Sequence, residues 1–430
     1  MYLITDYGAS GDGKTLNTKA IQAAIDACSA AGGGTVNVPA GLFITGTIWL
    51  RDNVDLRLES GAILKGSPDL DDYNTLDAFP QNWKCPDEEW NGSHLILAVE
   101  VNNVSISGYG VIDGNGPAFF AKAEPFSSSC WRYGLALAKD KERLRPGQLI
   151  YFCECRHVRV ENVSLRDATC WTCLMHGCED VLIRGVRIHN PPYAGNTDGI
   201  DIDSSRNVTI SDCIIDTGDD AITLRGDPAN LKKKDRVCEN VVVTNCILSS
   251  SSSVFRIGVG NGVIRNAIIS NIIICRGSIG VHIQSTYSPD STGVSISNIT
   301  LRDLTISNTF SPFEISPGVS KTTTAQIKNI AFDGFRGSVY GNGRIAGSPA
   351  SRPRNISLCN VDLTVMPSPT EYRPGGALLT VRSVDSVSFR NVHVAWSCET
   401  TTCNKTLETS DVPGFKLADD CVLDPPPGNR

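Results

Sequence analysis

Short β-branched runs recur along most of this chain at intervals of about 20 to 35 residues. From residue 157 they read HVRVENVSL, DVLIRGVRI, NVTISDCII, NVVVTNCIL, NAIISNIII and VSISNITL, starting at His157, Asp180, Asn207, Asn240, Asn266 and Val294. Weaker copies follow as NIAFDGF, NISLCNVDL and SVSFRNVHV, and NVSISGYGVIDG precedes them. Strands at this period, with no helical pattern between them, are the mark of a parallel β-solenoid. One coil cannot bury its own faces; stacking on its neighbours pairs the backbone and fills the core. The chain is therefore expected to be all-β, a single-domain parallel β-helix over residues 1–430.

Composition suits that architecture and removes several functions. Hydrophobic residues make up 41% of the 430-residue chain, enough for a sizeable core. The formal net charge is −7, and the longest basic stretch, Lys232 to Lys234, is too short for a nucleic-acid footprint and reads as a solvated loop. No stretch has the length of a membrane span. The opening MYLITDYGAS lacks a basic and then apolar leader. The expected place of work is the cytoplasm, or a secreted or periplasmic one if a leader was removed. Oligomeric state leaves no trace in the sequence.

A solenoid exposes its ends and needs caps. Ala20, Ile21, Ala24, Ile25 and Cys28 recur at helical spacing and Gly32 to Gly34 end the pattern, so an amphipathic helix is expected over the first coil. The cap and first coils occupy 1–60, and a C-terminal cap or tail occupies 395–430. Most of the sixteen cysteines read as reduced thiols. Cys213, Cys246, Cys275 and Cys359 lie in apolar runs, where a thiol serves as a small core side chain. Cys170, Cys173 and Cys178 lack the second pair that a zinc ribbon needs. Cys398, Cys403 and Cys421 are the candidates for disulfides. The Asn that opens many runs formally matches a glycosylation acceptor in Asn207-Val-Thr209 and Asn298-Ile-Thr300; stacked turn residues are the preferred reading.

Two successive coils hold NTDGIDID (196–203) and TGDDAITL (217–224). Aligning Ile200 and Ile202 with Ile222 and Leu224 sets Asp198 over Asp220, with Asp219 one residue before. Paired strands lie about 4.8 Å apart, so three carboxylates fall within a few ångströms on one face. Like charges that close favour a proton on at least one of them. A protonated carboxyl beside an ionised one is what glycoside hydrolysis needs. The competing reading is a calcium-binding or turn cluster; catalysis without metal or cofactor is preferred.

With those residues in hand, the chain resembles glycoside hydrolase family 28, the polygalacturonase-like pectin hydrolases, from residue 1 to about residue 310. The resemblance rests on YGASGDGKTLNTKAIQAAID, GVIDGNG (110–116), CWTCLMHGCEDV (170–181), NTDGIDI (196–202) and GDDAITL (218–224). It implies a right-handed parallel β-helix, no metal and inversion of configuration. It also implies Asp219 as general acid, with Asp198 and Asp220 holding and deprotonating a water. Two departures stand out. Where the family has Gly-His-Gly, SSSSVFRIG (250–258) puts Ser253 at the histidine's place. Where it has Arg-Ile-Lys, GVHIQS (280–285) offers His282 and Gln284. Losing two cations and a histidine beside a uronate pocket should weaken the preference for acidic sugars.

The same register forms a column of Asp201, Thr223, Arg256 and His282, and another of Asp198, Asp220, Ser253 and Ile279. Arg256 either holds a substrate carboxylate or neutralises Asp201. Asn196, Asp201, Ser253, Arg256, His282 and Gln284 are expected to meet substrate. His176 either lines a sugar subsite or sits in the core. Trp83, Trp90 and Trp131 lie in long irregular segments, 66–94 and 117–148, that are expected to wall a cleft and favour exo action. The expected function is inverting hydrolysis of a pectin-derived or related oligosaccharide, with altered, possibly neutral-sugar specificity. A uronate lyase or epimerase, which needs a cation on the carboxylate, ranks below it, as does a non-catalytic carbohydrate-binding solenoid. No nucleic-acid or membrane partner is expected.

Overall fold

The computed structural model describes residues 1–121, 136–289, 291–320, 323–369, 375–397 and 403–426. They fall into two compact units. One holds the described residues up to Asp219 together with Ala229–Arg236; the other holds Asp220–Pro228 and the described residues from Val237 onward. Both are stacks of parallel strands; the repeated runs of the first unit each hold two short strands, as HVRVENVSL does over Arg156–Glu161 and Ser164–Arg166, and those of the second unit lie within longer ones.

In the first unit, Val54–Leu58, Asn102–Gly108, Arg156–Glu161, Glu179–Arg184 and Arg206–Ser211 stack in register. Val104, Val158, Val181 and Val208 form one inward column, and Ile106, Val160, Ile183 and Ile210 form the next. All eight are buried, each worth about 1.5–3 kcal/mol in removed apolar surface. The helix Thr18–Ala30 buries Ile21, Ala24, Ile25 and Cys28 and packs on Tyr2–Leu3, Gly34–Val38 and Val54–Leu58. It is the cap that the helical spacing implied.

In the second unit the coils run together into long bent strands, among them Val263–Thr286 and Ser295–Gly318. Val241, Ala267, Ile299, Ile330, Ile356 and Val387 stack as one buried column. The C-terminal segment is more than a tail: Cys403–Ser410 pairs with Gly376–Arg382, and Gly414–Leu417 and Val422–Leu423 pair with Ser386–Trp396.

The recurrent asparagines explain how each coil turns. Asn266, Asn298, Asn329 and Asn355 have φ of 58°, 59°, 58° and 54°, a left-handed conformation that Asn tolerates better than other residues with a β-carbon. Their side chains form a ladder: Asn298 donates to Asn266 (2.9 Å), Asn329 to Asn298 (2.8 Å) and Asn355 to Asn329 (2.8 Å). The acceptor triplets are thus a by-product of stacked turn residues.

Cys403 is buried and Cys421 half-buried, and Cys398, the third candidate for a disulfide, lies outside the described residues. Cys213 and Cys246 are core side chains, whereas Cys275 and Cys359 are half-buried, because strand alternation turns them outward. The basic loop is also better anchored than a solvated loop: the N–H groups of Lys232 and Lys233 donate to Glu154 (3.0 Å each), and Leu231 is buried. No described helix is long and apolar enough to cross a membrane.

Replacing Asn298 by Ala removes both ladder bonds and leaves a β-carbon in a left-handed turn. The expected loss is about 2 kcal/mol, with Asn298→Gly recovering part of it. Urea unfolding of the two variants checks this; equal stability for Asn298→Ala and wild type would refute the ladder's role.

Candidate active site

The strand Ile200–Asp203 pairs with Cys173–His176, and that strand with Ile150–Cys153. Ile200 and Ile202 enter the core, so the alternation turns Asp201 and Asp203 to the opposite face. Asp198 lies just before this strand, its carbonyl accepting from the Thr172 N–H (2.8 Å), and is 5% exposed. Asp201 is fully buried. His176 is 2% exposed; the Tyr151 hydroxyl meets its Nδ1 at 2.9 Å and the Trp83 ring packs edge-on at 5.4 Å.

The turn at 194–198 is held from several directions. Asn196 takes a φ of 56°. Buried Asn190 donates to the Thr197 carbonyl (3.1 Å), and the Thr197 hydroxyl donates to the Ala194 carbonyl. The Asn196 N–H donates to Asp219 Oδ2 at 3.1 Å. Asp219 is 9% exposed, and its own carbonyl accepts from the Thr217 hydroxyl (2.6 Å). Gly218 explains why the two turns come so close: a β-carbon there would lie 2.2 Å from the Ala194 carbonyl oxygen and 2.6 Å from that of Pro191.

Arg145 enters this turn from a segment without any periodic signal. It is 1% exposed; Nη1 donates to the Gly195 carbonyl (3.3 Å), and Nη2 to Asn196 Oδ1 (3.1 Å) and the Glu88 carbonyl (3.0 Å). Neither Arg145 nor Asn190 was singled out from the sequence, since loop residues that brace a turn leave no pattern.

In the second unit, Asp220 Oδ1 accepts from the Ser253 N–H (2.9 Å). Strand pairing sets Thr223 opposite Arg256, Arg256 opposite His282, Ser253 opposite Ile279 and Gly258 opposite Gln284. The columns inferred from alternation are thus present in this unit. Arg256, 4% exposed, places Nη1 at 2.6 Å from His282 Nδ1 and 3.0 Å from Nε2. A guanidinium only donates, so a bond from Arg256 needs an acceptor nitrogen on the imidazole. Ser253 Oγ lies 3.3 Å from the same Nδ1. The column continues through Glu314 and Arg344, which pair at 3.6 Å. Exposed Tyr287 lies under the Arg256 guanidinium at 5.7 Å, a third residue the sequence reading missed.

The tryptophans are placed differently from the expectation. Trp90 is fully buried in a cluster with Phe79, Tyr151 and Trp171, so it presents no face to a sugar. Trp83 is half-buried against the same cluster, and Trp131 lies outside the described residues. A segment rich in aromatic rings folds onto itself wherever an apolar wall is available. No three His, Cys, Asp or Glu side chains among the described residues are grouped to hold a metal ion.

A model of glycosyl hydrolases family 28 matches residues 28–373. The exo-poly-α-D-galacturonosidase of Dickeya chrysanthemi is 28% identical over 320 residues, covering 66% of this chain and 51% of that protein. A probable polygalacturonase of Vitis vinifera is 31% identical over 227 residues, covering 52% of this chain and 43% of its own length. The chain thus spans about half the length of these relatives. Among solved structures, the family 28 exopolygalacturonase of Yersinia enterocolitica superposes with a TM-score of 0.69 at 22% identity, over 98% of this chain and 79% of that one. The fold is a right-handed parallel β-helix. The family match begins at residue 28 rather than residue 1 and runs past residue 310, over the strands Ile327–Val339 and Arg354–Val365. This chain belongs to glycosyl hydrolases family 28.

Proposed function

We propose that this protein hydrolyses a glycosidic bond in a pectin-derived or related oligosaccharide with inversion, and that it accepts a neutral sugar at the point of cleavage. Family membership, together with the NTD and DD turns inside the matched range, supports the reaction class. In this reading Asp219 gives its proton to the leaving oxygen as the bond to the anomeric carbon breaks. Asp198 and Asp220 hold a water, take one of its protons and direct its oxygen to the opposite face of that carbon. The Asn196 N–H on Asp219 and the Ser253 N–H on Asp220 fix the two carboxylates at separate anchors, which suits separate roles.

The observation that carries the altered specificity is the Ser253–His282–Arg256 cluster. Ser253, His282 and Gln284 stand where the family's histidine and cations would be. Arg256, the cation that remains, is buried against His282 and Tyr287. With Gln284 and Asn196 these residues are assigned to sugar hydroxyls. Buried Asp201 and His176 are assigned to supporting the sugar-facing groups. The long irregular segment 66–94 and the exo-acting name of the Dickeya relative favour release of a terminal sugar.

Product release from a panel of galacturonate-ended and neutral-ended pectic oligosaccharides tests both parts. Wild type is expected to free a neutral sugar, and Asp219→Asn to lose at least about 10³-fold in kcat. Glycan binding without cleavage across the panel would overturn hydrolysis. Release of galacturonic acid as the best product would overturn the altered specificity alone.

His282→Arg, which puts a cation at position 282 as the family pattern has it, should shift the ratio of kcat/KM toward galacturonate-ended substrates by about tenfold. An unchanged ratio would show that this column does not read the sugar.

A further inference from the structure

We propose that Arg145 is a positioning residue for the general acid, acting through Asn196. This rests on the reading of Asp219 as the acid. The guanidinium fork fits one turn: Nη1 holds the Gly195 carbonyl and Nη2 holds the Asn196 side-chain oxygen. Asn196 is in a left-handed conformation, and its N–H is the donor to Asp219 Oδ2. Releasing the Asn196 side chain frees the peptide that aims this N–H.

Arg145 is itself fixed before it fixes anything else. Its N–H donates to the Glu89 carbonyl (3.0 Å), its carbonyl accepts from Asn91 N–H (3.0 Å), and Nη2 holds the Glu88 carbonyl. Its guanidinium carbon lies 5.3 Å from the centre of the Phe120 ring, which clusters with Ala194 beside the turn. A buried cation is costly unless it has partners, and here two of the partners belong to the turn whose Asn196 N–H holds Asp219. A lysine has one point of charge and no planar fork, so it cannot hold both acceptors in this geometry.

The charged surroundings make the role readable. Burial lowers the Arg145 pKa, while the Cys170 thiol and the carboxylates of Glu88, Glu89 and Asp219 work the other way. By reciprocity the guanidinium favours the ionised form of Asp219. Lys141 pairs with Glu89 at 3.4 Å, and Asp198 faces Cys170; both remain in any Arg145 variant.

The test is steady-state kinetics of the full chain across pH for Arg145→Met, Arg145→Lys and Asn196→Ala, with melting curves as a control. Arg145→Met should lower kcat by about 10²-fold with KM changed less than about threefold. It should also move the alkaline limb of the kcat profile upward by about half a unit, because the acid loses a neighbouring cation. Arg145→Lys should restore the limb but not kcat. Asn196→Ala should reproduce the loss in kcat with the limb in place, and the double variant should be no slower than Arg145→Met. A rise in KM at unchanged kcat, or an additive double variant, overturns the proposal. So does a loss of kcat with an unmoved limb in Arg145→Met. If Arg145→Met does not fold, Asn196→Ala decides: wild-type kcat there overturns the proposal. Full activity in Asp219→Asn would instead overturn the assignment of the acid.

Discussion

Backbone pairing of each coil with the one beside it is the interaction on which every other feature depends. A strand of four residues, such as Ile200–Asp203, has no stability alone and takes its place from Cys173–His176. Side chains alternate between faces, so a slip of one residue would turn Ile200 and Ile202 away from the apolar core and point Asp201 and Asp203 into it. In the second unit the left-handed asparagines add a side-chain ladder that ties the bend of one coil to the next.

That constraint turns a one-dimensional sequence into an array of fixed columns. In a loop-built site, each side chain needs its own support. Here, the strand register already delivers Arg256, His282, Glu314 and Arg344 in a row. The acidic turns lie where the array gives way to tighter backbone, and they are held by hydrogen bonds rather than by apolar packing. Asn190, Thr197, Thr217 and Arg145 supply those bonds in the first unit. These bonds fix the backbone on which Asp198 and Asp219 are carried.

Features with a period were readable from the sequence. The strands, the inward columns and the capping helix all follow from repeated apolar spacing, and so did the second-unit register of Arg256 with His282. Features carried by single residues in long segments were not. Arg145 and Tyr287 belong to no repeat, and their partners are tens of residues away or on another strand. Trp90 was misread because an aromatic ring in an irregular segment carries no sign of which way it faces; the buried cluster around Tyr151 and Trp171 decided that.

Ser253 and His282 lie 29 residues apart in sequence but touch in space: Ser253 Oγ is 3.3 Å from His282 Nδ1. His282 brings its ring to Ser253 from the adjoining strand, although the two belong to neighbouring columns: Ser253 stands opposite Ile279 and His282 opposite Arg256. Arg256 bonds the same ring, so residues of two columns meet at one imidazole. Columns in a stacked coil are therefore coupled sideways as well as along the stack, whereas Gln284 lies opposite Gly258, which offers it no side chain.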